Sequence, residues 1–130
     1  MKPLSLIVAS ALVLICCGSN AGNIHTLETD AFASAIEEHS MPLVDVRTAA
    51  EYAEGHIAGA SNADVKQDNF VDQVRRELGS DLKGARVAVY CLRGSRSLKA
   101  AKLLSAEGAE VYNLAGGITA WHSAGRPTTH

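Results

Sequence analysis

Three short apolar runs constrain the fold most: "LVDV" (43–46), "RVAVY" (86–90) and "VYNL" (111–114). They are continuous rather than alternating, and helical patterns separate them. A strand with one solvated face alternates apolar and polar residues, whereas one buried on both faces does not. The runs therefore predict an α/β fold, with parallel strands joined by helical crossovers. In "TLETDAFASAIEEH", Leu27, Phe32, Ala35 and Ile36 share a helical face, with Thr29 or Asp30 as cap. Thr48 and Glu51 have capping-box spacing, and Gly55 stops that short helix. Residues 56–64 read as an irregular connection. Phe70, Val74 and Leu78 lie four apart on the next helix, which Gly79 ends. A further helix starting at Ser95 turns Leu98, Ala101 and Leu104 inward, with Gly108 at C′, and a short helix follows Gly116. In open sheets of this kind, ligands bind beyond the C-terminal strand ends. Cys91 stands at such an end.

The 130 residues suffice for one domain. With 47% hydrophobic and 20% charged residues the chain reads as globular, and a net charge of −2 argues against a nucleic-acid partner. The first residues stand apart. Lys2 precedes an almost wholly apolar stretch from Pro3 to Cys17, and Ser19 and Ala21 suit a cut after Ala21. This is the pattern of a cleaved secretory signal over 1–21, leaving a domain over 22–130 and an exported, periplasmic location. Lipidation at Cys16 or Cys17 is the weaker expectation, because neither follows Gly, Ala or Ser. An uncleaved anchor of this length would span poorly, so no stable membrane span is expected after cleavage. Cleavage removes Cys16 and Cys17 and leaves Cys91 without an internal partner. An odd cysteine in an exported chain is either a reactive thiol or an intermolecular link.

The setting of Cys91 favours reactivity. In "CLRGSRS" a strand end meets a helix start, where unpaired N–H groups and the helix dipole favour an anion. A thiol there has a depressed pKa and more of the nucleophilic thiolate. Leu92 to Ser97 supply consecutive amides for an anion-binding concavity. Arg93 and Arg96 add planar cationic forks suited to an oxyanion. Gly94 permits a positive φ, and Ser95 and Ser97 add hydroxyls. The rival reading is a buried, inert cysteine followed by a solvated basic turn. The five scattered histidines lack metal-ligand spacing, so neither metal nor cofactor is expected. Gly116-Gly117 lack a dinucleotide-binding context.

The loop resembles the active-site loop of the rhodanese (sulfurtransferase) family, which runs from cysteine through glycine to arginine. "LVDVRTAAEYAEGHIAGASN" and "VYNLAGGITAWHSAGRPT" are similar to two further family segments, in the same order, so the likeness covers about Ile24 to Thr128. The resemblance implies a single domain with a roughly five-stranded parallel sheet and helices on both faces. It implies that Cys91 takes the outer sulfur of a donor such as thiosulfate as a persulfide. A thiol or cyanide then accepts it. Leu92, Arg93, Gly94, Ser95, Arg96 and Ser97 are the implied substrate-binding residues. Cysteine phosphatases and arsenate reductases of this fold place five residues between cysteine and arginine. Cys91 and Arg96 have four, which favours sulfur. A non-catalytic binding module of the same fold would have no need of Cys91. Asp45 and Arg47 are expected to be structural, with Arg47 paired to Glu51 or Glu54. His56, beside turn glycines, is expected to bond backbone rather than act as a base. Oligomeric state is not legible.

Overall fold

The structure is a computed structural model that describes residues 23–130. The expected signal segment lies outside the described residues. Five strands, β1 (Ile24–Leu27), β2 (Leu43–Asp45), β3 (Ser61–Asn62), β4 (Arg86–Tyr90) and β5 (Glu110–Leu114), form one sheet in the order β1-β5-β4-β2-β3. Every pairing is parallel, as the continuous apolar runs require. The crossovers are α1 (Thr29–His39), α2 (Ala49–Glu54), α3 (Phe70–Leu78) and α4 (Ser95–Ala106), and α5 (Gly117–Ser123) follows β5.

Two strands lie where the sequence reading has none. Ile24–Leu27 is an edge strand on β5, so α1 starts at Thr29 with Glu28 as its N-cap, and neither Thr29 nor Asp30 caps it. Ser61–Asn62, inside the expected irregular connection, pairs with Val44 and Asp45.

The sheet separates two apolar layers. On one face Phe70 and Val74 of α3 and Ala100, Ala101 and Leu104 of α4 pack on Val87, Val89 and Val111. On the other, Phe32 of α1 and Ile118 and Trp121 of α5 pack on Leu43, Ala88, Tyr90 and Leu114. Leu98, expected inward, is exposed, and Ala100 takes the inward place instead. The expected helix stops hold: Gly79 is left-handed at φ 69°, and Gly108 follows the α4 cap at φ 97°. Among the described residues no helix is long and apolar enough to cross a membrane.

Candidate active site

β4 delivers Cys91 at its C-terminal end, at the centre of the sheet, with only 1% of the residue exposed. The chain must then reverse within a few residues to start α4. Gly94 makes this possible: its φ of 113° lies where side-chain-bearing residues are strained, and it is the N-cap of α4. Its amide hydrogen-bonds Cys91 Sγ at 3.1 Å.

Burial pushes the Cys91 thiol up. The Ser97 hydroxyl and the amides of Ser97, Gly94 and Arg93 act in the opposite direction and prevail, so the pKa lies below the ordinary thiol value. Ser97 is fully buried, and its Oγ also lies 3.2 Å from Gly94 O. A hydroxyl carries one proton, so Ser97 donates either to that carbonyl or to the sulfur. Ionisation of Cys91 favours the sulfur. The helix-start cradle expected from the sequence is present, and it centres on Arg93, Gly94 and Ser97.

The two arginines that the sequence treats alike have different surroundings. Arg96 Nη1 and Nη2 donate to Glu51 Oε1 at 2.8 Å and Oε2 at 3.0 Å. Arg93 is exposed, with no ion pair among the described residues. Leu92 is 38% exposed beside it and Ser95 is also exposed. Glu51 is itself preorganised: Thr48 N and Thr48 Oγ1 donate to Oε1 while Glu51 N donates back to Thr48 Oγ1, completing the expected capping box. The Arg96 hydrogen bond, helped by those from Thr48 and opposed by partial burial, lowers the Glu51 pKa to about 2. No local pattern links positions 51 and 96; the fold brings them together.

Arg47 does not pair with Glu51 or Glu54. Its Nη2 donates to Asp45 Oδ2 and to Gly55 O, each at 2.7 Å, and both residues of the Asp45–Arg47 pair are buried. Asn62 Nδ2 donates to the carbonyls of Asp45 and Arg47, so one polar cluster joins β2, α2 and β3 behind the loop. His56 Nδ1 donates to Tyr52 O at 2.9 Å, its ring stacks on Tyr52 at 3.7 Å, and its backbone bridges to Thr129. This backbone-bonding role matches the expectation. Tyr90 accepts from Ile57 N at 3.0 Å, and burial raises its phenol so that it stays neutral.

Gly116-Gly117 emerges as a positioning element. Ile118 N donates to Cys91 O at 2.9 Å and Thr119 N to Leu92 O at 3.1 Å, so the start of α5 holds the loop backbone. Gly117 has φ 60°, and a Cβ there would lie 2.6 Å from Cys91 O. Only glycine lets the two backbones approach this closely. Among the described residues no group of three His, Cys, Asp or Glu gathers to hold a metal ion.

A buried thiol whose pKa is lowered by amides and a hydroxyl, in a loop that also carries an exposed arginine, is equipped for nucleophilic attack. Known proteins share this sequence and fold. The model of the rhodanese-like domain matches residues 28–124. The thiosulfate sulfurtransferase GlpE of Pseudomonas fluorescens is 38% identical over 92 residues, covering 70% of this chain and 79% of the relative. A tRNA uridine(34) hydroxylase of Bacillus licheniformis is 33% identical over 96 residues, which are 73% of this chain and only 30% of that larger protein. The rhodanese-like domain of an Anabaena protein superposes with a TM-score of 0.68 at 27% identity, covering 80% of this chain and 77% of that one. The matched region contains the whole loop and both elements that hold it, and the chain belongs to the rhodanese-like domain family.

Proposed function

We propose that the protein is a sulfurtransferase that carries sulfane sulfur on Cys91. The Cys91 thiolate attacks the outer sulfur of a donor such as thiosulfate. A new S–S bond forms, the donor's own S–S bond breaks, and sulfite leaves with the bonding electron pair. Cys91 then holds a persulfide, which a thiol or cyanide discharges. The observation that carries this reading is the cradle of Arg93, Gly94 and Ser97 around Sγ. It favours the anionic form of Cys91 without reorganisation. A thiol whose pKa is lowered depends less on a separate general base. Arg93 is the cation free to meet the donor's oxyanion, while Arg96 fixes the loop through Glu51.

The reading extends to location. An N-terminal signal cleaved after Ala21 would export the domain to the periplasm. The N-terminal mass of the protein recovered from cells tests this: a chain starting at Gly22 supports it, and one retaining Met1 refutes it. For the activity, thiocyanate formation from thiosulfate and cyanide is the direct assay. Turnover by the wild type that falls to background in Cys91→Ser, with an unchanged circular-dichroism spectrum, supports the assignment. Equal turnover by the variant refutes it.

A further inference from the structure

The large apolar side chains that the described residues leave exposed are gathered in one place. They are Leu92, Leu98 and Leu103, each 38% exposed, and all three lie between the end of β4 and the end of α4. Leucines exposed singly need no explanation, whereas a group of them on one surface marks an interaction site. Along α4, Ser95, Leu98, Lys99, Lys102 and Leu103 follow at three- and four-residue spacing, and all are exposed. Residues so spaced share a helical face. Ala100, Ala101 and Leu104 turn the other face of α4 to the sheet. The leucines and lysines therefore form its solvent side.

The cations of this side are unpaired. Elsewhere Arg47, Arg75, Arg86, Arg96 and Arg126 are each held by a carboxylate. Arg93, Lys99 and Lys102 have no ion pair among the described residues. No Asp or Glu occurs from Cys91 to Ala106, although the whole chain has a net charge of −2. The positive charge is thus local to the loop and α4, and it is interleaved with exposed leucines. Complementary charge draws an acidic surface to such a face and repels a basic one. The face also begins at the active loop. Ser95, the first residue of α4, directly follows Gly94, whose amide holds Cys91 Sγ at 3.1 Å.

We propose that the exposed face of α4 docks a protein acceptor whose thiol lies beside acidic and apolar residues. The proposal rests on the sulfur-transfer reading above. Carboxylates of the partner meet Lys99 and Lys102, and its apolar side chains cover Leu98 and Leu103. Its thiolate attacks the outer sulfur of the Cys91 persulfide. A new S–S bond forms, the Sγ–S bond breaks, and its electron pair returns to Sγ. The persulfide's charge leaves with the transferred sulfur, so atoms and charge balance without an added oxidant or reductant. An anionic lipid surface would match the same charges but bring no thiol to the loop, so continuity with the loop favours a protein.

The test uses two acetylated, amidated hexapeptides as acceptors at saturating thiosulfate. Each has an N-terminal cysteine followed by leucines interleaved with either glutamates or glutamines. The decisive quantity is the ratio of the two kcat/KM values in the wild type against Lys99→Gln/Lys102→Gln, because intrinsic differences between the two thiols cancel there. Loss of two exposed charge contacts should lower the glutamate preference by roughly three- to tenfold. Turnover with cyanide, which is too small to span the face, should stay at the wild-type level. Leu98→Gln/Leu103→Gln should lower kcat/KM for both peptides and leave their ratio unchanged. A glutamate preference unchanged in the lysine variant, a cyanide rate that falls with it, or peptide rates unchanged in the leucine variant overturns the proposal. Co-sedimentation of the wild type with phosphatidylglycerol vesicles, lost in the lysine variant, assigns the face to a lipid surface and overturns it as well. Intact-protein mass after thiosulfate treatment separates the two levels. Loading of Cys91 with an unchanged peptide ratio overturns the docking face alone. Failure of the wild type to load overturns the sulfur-transfer reading and the acceptor role with it.

Discussion

Ser97 shows how much the thiol depends on single side chains. It stands at the third position of α4, is fully buried, and gives Cys91 both its amide and its hydroxyl. A hydrogen bond to the charged form lowers a pKa, so removing it raises the pKa. Ser97→Ala should therefore move the Cys91 titration upward, read as thiolate absorbance against a Cys91→Ser blank. An unmoved or lowered midpoint would remove the hydroxyl from the cradle. The arginines predict a second contrast. Arg93→Ala should raise the donor KM by about fivefold with a smaller change in kcat, as expected for loss of one exposed charge contact. A KM equal to wild type would remove Arg93 from the donor site. At this scale the sequence was informative about chemistry and silent about partners. Cys91, Gly94 and Ser97 were legible because the strand end, the turn and the helix start are local. Arg93 and Arg96 were not distinguishable, because Glu51, which separates their roles, lies 45 residues away in the chain.

Among the elements, α5 and α2 hold the loop from opposite ends. The α5 contact needs Gly117, so Gly117→Ala forces both a left-handed non-glycine residue and an overlap with the Leu92 and Cys91 carbonyls. Backbone strain of this kind costs about 1–3 kcal/mol. The expected drop in Tm is of the order of 10 °C, with loss of activity beyond that explained by unfolding. A variant with wild-type Tm and turnover would show that the close approach is dispensable. The elements also show where sequence patterns stop. α3 was legible from Phe70, Val74 and Leu78, because one buried face imposes a helical period. β1 was not, since an edge strand with a single partner and a half-buried "IHTL" carries no continuous apolar run. β3 was not legible either. Its two polar residues owe their conformation to pairing with β2 and to the Asn62 side chain, not to propensity.

For the whole molecule, two ion pairs of different depth set the response to mutation and acid. Asp45–Arg47 is buried behind the loop, and removing one partner leaves the other charge uncompensated, a loss of about 3–5 kcal/mol. Arg47→Ala should therefore lower the urea midpoint strongly, and a shift no larger than that of an exposed arginine would contradict the structural role. Glu51–Arg96 predicts the acid response. The folded pKa of Glu51 is depressed from 4.5 to about 2. A depressed carboxylate contributes stability above its unfolded pKa and loses it as pH falls through the folded one. The stability gap between wild type and Glu51→Gln should thus be full above pH 4.5 and close towards pH 2. A gap that widens on acidification would contradict the pairing. The parallel architecture was legible because burial on both faces writes itself into continuous apolar runs. The strand order and the convergence of α2 and α5 on one loop are properties of the folded chain alone.

The central claim is that Cys91 carries sulfur, and its most direct test is the mass of the intact protein after thiosulfate treatment. A gain of one sulfur atom, localised to Cys91, lost on adding cyanide and absent in Cys91→Ser, is the predicted result. An unchanged mass in a folded wild-type protein, or a gain that persists in Cys91→Ser, would contradict it.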